Sequence, residues 1–143
     1  MKKIILALLF GSFAVLGYAQ NASEGSAAIQ FTTTTHDFGT IKEGTLANYD
    51  FTFTNTGTAP LVLSSVQPSC GCTTPEWSKE PILPGAKGVI KASFNSYGRP
   101  GTFQKYITVK SNASNGEITL TIKGTVEPKP IEPVSPVRTL MNE

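Results

Sequence analysis

Cys70-Gly71-Cys72 is where this 143-residue chain concentrates its reactive side chains, since these are its two cysteines. Its single tryptophan, Trp77, follows five residues later. Two thiols with one residue between them have three uses. They can close a small disulfide ring, which is prone to strain and easily reduced. They can present two thiolates to a soft metal, Cu(I) or Zn. They can stay as thiols packed in the fold; thiol–disulfide exchange with another thiol is a further reading, and requires an accessible, acidified sulfur. The spacing is not the two-residue gap of thioredoxin-like or zinc-ribbon motifs. A disulfide here would close so short a loop that it would remove little unfolded-chain entropy.

His36, the only histidine, is the candidate third metal ligand beside Cys70 and Cys72, provided the fold brings the three together. Its bland alternative, shared with Asp37, is a strand-end residue that bonds backbone. Asp37, Trp77 and Arg99 are the candidate binding-surface residues: a carboxylate, an aromatic platform or lid over the cysteines, and a guanidinium beside Pro100-Gly101. No catalytic residue is assigned. The sequence contains no G-x-S-x-G, H-E-x-x-H, P-loop or Rossmann glycine pattern. A Ser-His-Asp set would have to use adjacent His36 and Asp37, which an extended backbone points to opposite faces. The chain therefore reads as non-enzymatic, with a soft metal ion as the one cofactor its residues suggest.

The elements that must position these residues are strands. Leu46 to Thr54 alternates Tyr49, Phe51 and Phe53 with Asp50, Thr52 and Thr54. Glu117 to Val126 alternates Ile118, Leu120 and Ile122 with Thr119, Thr121 and Lys123. That period of two marks sheets with one buried and one wet face. Ile29 to Thr34, Leu61 to Val66, Gly88 to Asn95 and Thr102 to Ser111 read as further strands, the last with Lys105 out of pattern on its apolar face. Asn55-Thr56-Gly57, Pro84-Gly85 and Asn115-Gly116 read as turns. Pro75, Pro81 and Pro84 are expected to prevent regular pairing through most of the segment after the cysteines. No stretch after residue 19 sustains a helical period. About seven short strands over roughly 100 residues predict an all-β, antiparallel immunoglobulin-like sandwich spanning residues 29–126.

Either side of this domain the composition changes. Residues 1–19 read as a signal peptide: Lys2 and Lys3, an apolar run from Ile4 to Leu16, and Gly17-Tyr18-Ala19 before a cleavage point at Gln20. The run is too short to span a membrane, and no membrane span is expected after cleavage. Residues 20–28, small and polar, read as a flexible linker. Residues 127–143, with Pro128, Pro130, Pro133 and Pro136, read as an extended or disordered tail. Cleavage would remove Lys2 and Lys3 from 12 basic and 10 acidic residues, leaving a neutral chain with scattered lysines. Nucleic acid is thereby excluded as an expected partner. A protein or another envelope component is the expected partner class, in a secreted or periplasmic location. Oligomeric state is not legible.

The motifs also occur in a familiar order. His36-Asp37-Phe38-Gly39-Thr40-Ile41 comes first, followed by Phe51-Thr52-Phe53-Thr54-Asn55-Thr56-Gly57 and Ser69-Cys70-Gly71-Cys72-Thr73. Pro84-Gly85, Arg99-Pro100-Gly101 and Ile107-Thr108-Val109 complete the series. From about Phe31 to Asn112 the chain resembles the exported bacterial proteins grouped as domain-of-unknown-function family 1573, which is similar to Hydin-type and other immunoglobulin-like domains. The resemblance implies the sandwich fold and export. It marks Cys70, Cys72 and His36 as family-motif positions, and it implies no activity.

Overall fold

The structure is a computed structural model and describes residues 25–130. It contains eight strands: β1 (Ile29–Phe31), β2 (Thr35–Lys42), β3 (Leu46–Asn55), β4 (Leu63–Pro68), β5 (Thr73–Trp77), β6 (Lys87–Asn95), β7 (Gly101–Ser111) and β8 (Ile118–Glu127). They form two four-stranded sheets, ordered β1-β3-β6-β5 and β2-β8-β7-β4. The core lies between them. Phe51, Phe53, Ile90, Ala92 and Phe94 of the first sheet are buried there with Ile107, Val109, Leu120, Ile122 and Val126 of the second. Phe94 stacks on Phe103 across the gap, ring centroids 4.0 Å apart. Each of these residues sits at the inward phase of a two-residue period, so burial follows directly from the sequence alternation.

The all-β sandwich expected from the sequence is the observed architecture, with four local corrections. The first concerns β1, which stops at Phe31; the chain then passes through Thr32–Thr34 to the other sheet, where Thr34 O accepts the Thr121 amide. The His36 stretch, given no strand by the sequence, is β2. It runs parallel to β8, so the second sheet is mixed, while every other pairing is antiparallel.

The second correction is β5. Pro75 does not prevent pairing, because β5 is an edge strand and meets a neighbour only through β6, with Pro75 opposite Ala92. A proline there loses no ladder bond if its nitrogen faces the open side. The third concerns the linker. Residues 25–28 are not loose: Ala27 is 3% exposed, Ser26 O accepts the Thr58 amide, and Ala27 O accepts the Ser114 amide. The fourth is in the tail, where β8 continues to Glu127 and the Lys129 amide donates to Glu43 Oε2 at 3.2 Å. The proposed signal peptide, the linker up to residue 24 and the tail from residue 131 lie outside the described residues. No helix among the described residues is long and apolar enough to cross a membrane.

Candidate functional site

Cys70 and Cys72 lie on the crossover from β4, the edge of one sheet, to β5, the edge of the other. They are joined by a disulfide, with Cα atoms 5.3 Å apart. Their surroundings differ. Cys72 is 7% exposed and belongs to the core, while Cys70 is half-buried at its margin. Each sulfur lies 3.9 Å from Thr73 Oγ1, itself 2% exposed.

The backbone of the crossover finishes an open sheet edge. Asn95 N donates to Cys72 O at 3.0 Å, which makes Cys72 and Asn95 a hydrogen-bonded pair. By the alternation of an antiparallel ladder, Thr73, Pro75 and Trp77 then aim their backbone groups away from β6. Thr73 N donates to Cys70 O at 3.3 Å, and Pro75 has no N–H. Two of the three outward amides of β5 are thus capped or missing, which protects an edge against adventitious strand addition.

Ser69 also belongs beside this crossover. Ser69 N donates to Tyr106 O at 2.8 Å, and Ser69 Oγ accepts the Tyr106 amide at 3.1 Å. This continues the β4–β7 ladder one step beyond Pro68–Ile107. There the ladder ends, since the Ser69 hydroxyl rather than its carbonyl takes the Tyr106 amide and the chain turns from Cys70 to Thr73. Phe103, Ile107 and Val109, which share the inward phase of β7 with Lys105, are buried, whereas Lys105 is half-buried.

His36 is not part of this cluster. It lies on β2, the far edge of the sheet that β4 closes on the other side. Three inter-strand steps, about 14 Å, separate the two strands. The ligand set Cys70, Cys72 and His36 is therefore not assembled, and both sulfurs are engaged in the disulfide. Among the described residues no group of three His, Cys, Asp or Glu side chains is placed to hold a metal ion.

The His36 ring instead lies flat on Tyr49 of the opposite sheet, centroids 3.6 Å apart, with Phe38 edge-on at 4.6 Å. Burial lowers its pKa from the ordinary 6.5, with the Asp37 carboxylate opposing that shift. Asp37 Oδ1 accepts the Gly39 amide at 2.8 Å, and Oδ2 lies 3.5 Å from Lys123 Nζ. The Gly39 bond, aided by Lys123, lowers the Asp37 pKa below its usual 3.8. Asp37 thus turns the chain at the register shift between Asp37 and Thr40. There Gly39 takes a φ of 63°, and its carbonyl would stand 2.8 Å from any Cβ on Gly124. The His-Asp-Phe-Gly motif is a bulge and an aromatic clasp between the sheets.

Two of the three candidate binding-surface residues are also committed within the fold. Arg99 Nη1 donates to the carbonyls of Tyr97 (2.7 Å) and Asn95 (3.3 Å), bracing its own loop rather than taking a carboxylate. Trp77 stands at the opposite end of β5 from the cysteines, about 13 Å from Thr73 at ordinary strand rise, and so is not a lid over them. Its inner edge is packed on the core, and its outer face carries Lys79 Nζ 3.5 Å from the ring centroid. Asn55, read as a turn residue, is a fully buried hub. Its Nδ2 donates to Ala59 O and Ile82 O, and its Oδ1 accepts from Gly57 and Ala28.

Comparison with known proteins places this arrangement. A family model described as "Protein of unknown function (DUF1573)" matches residues 29–126, and the chain belongs to that family. No curated protein matches the sequence. Among solved structures, a protein of unknown function from Porphyromonas gingivalis W83 is similar, with TM-score 0.62, 18% identity, 80% of this chain covered and 51% of the other. This chain thus spans about half the length of that relative. The ASH/PapD-like domain 7 of human CEP192 is similar at TM-score 0.60 and 12% identity, over 73% of this chain and 89% of the domain. The Vibrio cholerae VesB protease matches at TM-score 0.53 and 12% identity, over 71% of this chain and 32% of the protease. These likenesses show a shared sandwich fold.

Proposed function

We propose that this family member is an exported immunoglobulin-like module that acts by binding, or as a structural part, within the cell envelope. The observation that carries this reading is how the polar motif groups are spent. His36 clasps the sheets, Asp37 turns a bulge, Arg99 braces a loop and Asn55 ties three segments. Each is satisfied by the fold, on different sides of the sandwich, so these groups act together as architecture. The charged leader followed by an apolar run and Gly17-Tyr18-Ala19 supports export. The soft-metal alternative through Cys70, Cys72 and His36 draws no support from residues on opposite edges of a sheet.

The test has two arms. The full chain, produced in a Gram-negative host, is expected in the extracytoplasmic fraction with Gln20 as its first residue by mass spectrometry. An uncleaved chain confined to the cytoplasm overturns export. Chemical crosslinking of cells carrying the tagged chain is expected to give a discrete adduct with an envelope component. A purified protein that turns over a substrate other than a thiol or disulfide, with activity abolished by Cys72→Ser, overturns the binding role.

A further inference from the structure

We propose that the Cys70–Cys72 disulfide is a dithiol–disulfide exchange site, entered at Cys70 Sγ, whose reaction partner is a protein dithiol that docks over Gly71. This inference does not depend on where the chain resides.

The disulfide is asymmetric in the way exchange requires. A thiolate displaces along the S–S axis and expels the sulfur it does not attack. Cys72 is 7% exposed and packed in the core, whereas Cys70 stands at the margin. An incoming nucleophile therefore meets Cys70 Sγ, and Cys72 Sγ leaves inward, beside the Thr73 hydroxyl.

Gly71 is the second, independent observation. Its φ is not positive, so no left-handed turn demands glycine. A Cβ built on it would meet nothing within 4 Å, so no close packing demands glycine either. Within this chain any small residue would fit. The bare surface between the two cysteines is what an approaching partner backbone needs, because close approach of another chain is a recurrent reason for glycine.

The exchange balances without a further reactant. The partner's first thiolate attacks Cys70 Sγ. The Cys70–Cys72 bond breaks, a mixed disulfide forms on Cys70, and Cys72 departs as a thiolate and takes a proton. The partner's second thiol, deprotonated, attacks its own sulfur in the mixed disulfide. The partner disulfide forms and Cys70 leaves as a thiolate, which is then protonated. Two electrons and two protons have passed from the partner dithiol to this chain, and the reverse sequence oxidises the partner. The fold tolerates the change because the cap on β5 is the backbone bond from Thr73 N to Cys70 O.

The experiment uses the oxidised protein with two reductants, dithiothreitol and thioredoxin, and counts thiols by alkylation and mass spectrometry. Both are expected to reduce the disulfide with the circular dichroism spectrum unchanged. Reduction only on unfolding overturns the proposal. Cys72→Ser, which leaves Cys70 as the free thiol, is expected to react with 5,5′-dithiobis(2-nitrobenzoate) about tenfold faster than Cys70→Ser. Equal or reversed rates overturn entry at Cys70. Gly71→Ala is expected to slow thioredoxin several-fold more than dithiothreitol. An equal effect on both overturns docking over Gly71.

Discussion

The His36 ring lies face to face on Tyr49, planes 10° apart, and joins β2 of one sheet to β3 of the other. This stack explains a histidine at the start of the His-Asp-Phe-Gly motif without any ligand. Burial lowers the ring's pKa below 6.5, so the folded state binds the proton more weakly than the unfolded chain. The contribution of His36 is therefore fully present above pH 6.5 and is lost as pH falls through the folded value. Urea midpoints are expected to drop between pH 7.5 and pH 5, and His36→Phe is expected to remove most of that drop. Asp37, also depressed, loses its own contribution only below about 3.8, so the two windows separate.

The strands whose two faces differ were legible in the sequence, and β3 and β8 are found almost where the alternation puts them. What was not legible had specific causes. β5 was hidden because Pro75 blocks pairing on one side only, and the sequence does not say that β5 is an edge. β2 was hidden by the bulge at Gly39, which breaks the two-residue period after Asp37. The separation of His36 from the cysteines depends on strand order, a long-range property that local patterning does not encode. Residues 25–28 have a linker's composition, yet Ala27 is buried by contacts to segments thirty and more residues away.

Gly124→Ala tests the bulge. A Cβ there would stand 2.8 Å from Gly39 O and 3.0 Å from the Phe103 ring. The Gly39 carbonyl is fixed by the Asp37 turn, and Phe103 is held against Phe94. Neither neighbour can retreat cheaply, so the substitution is expected to cost about 1–3 kcal/mol, the usual range for overpacking. Equilibrium denaturation measures it, and an unchanged midpoint would show that β2 can slide away from β8.

Asn55→Ala is expected to be the more damaging change. It strands the Ala59 and Ile82 carbonyls and the Gly57 amide, all near a fully buried position. Each buried group left without a partner costs about 1–3 kcal/mol, so a loss of at least about 3 kcal/mol follows. Asn55→Asp is expected to fare no better, because a carboxylate would face two carbonyl oxygens. Thermal unfolding of both variants is the measurement; retention of the wild-type midpoint in either would remove Asn55 from the role of hub.

Trp77→Phe is expected to be nearly neutral. The indole Nε1 is buried without a hydrogen-bond partner among the described residues, so the smaller ring removes an unsatisfied donor while giving up some apolar contact. These effects oppose one another at about 1–3 kcal/mol each, and the net change should stay within about 1 kcal/mol. A larger loss in denaturant titration, followed by circular dichroism because the only tryptophan is gone, would show that Nε1 has a partner in solution.

The double variant Cys70→Ser/Cys72→Ser separates a staple from a reactive pair. Loop-closure entropy for so short a ring is worth only about 1.6 kcal/mol, half that of a fifteen-residue loop. The edge cap from Thr73 N to Cys70 O does not involve sulfur, and serine retains the small size of the side chain. Against that, Cys72 is 7% exposed, so its hydroxyl replacement carries a modest burial cost of about 1 kcal/mol or more. The sum predicts a folded protein destabilised by no more than about 3 kcal/mol, with an unchanged circular dichroism spectrum. Oxidised wild type, dithiothreitol-reduced wild type and the double variant should unfold in that order of decreasing midpoint. The first two should differ by less than about 2 kcal/mol, because reduction removes the ring but leaves the buried sulfur in place. If reduction alone unfolds the domain, the disulfide is a structural staple, and the motif cysteines serve stability rather than exchange.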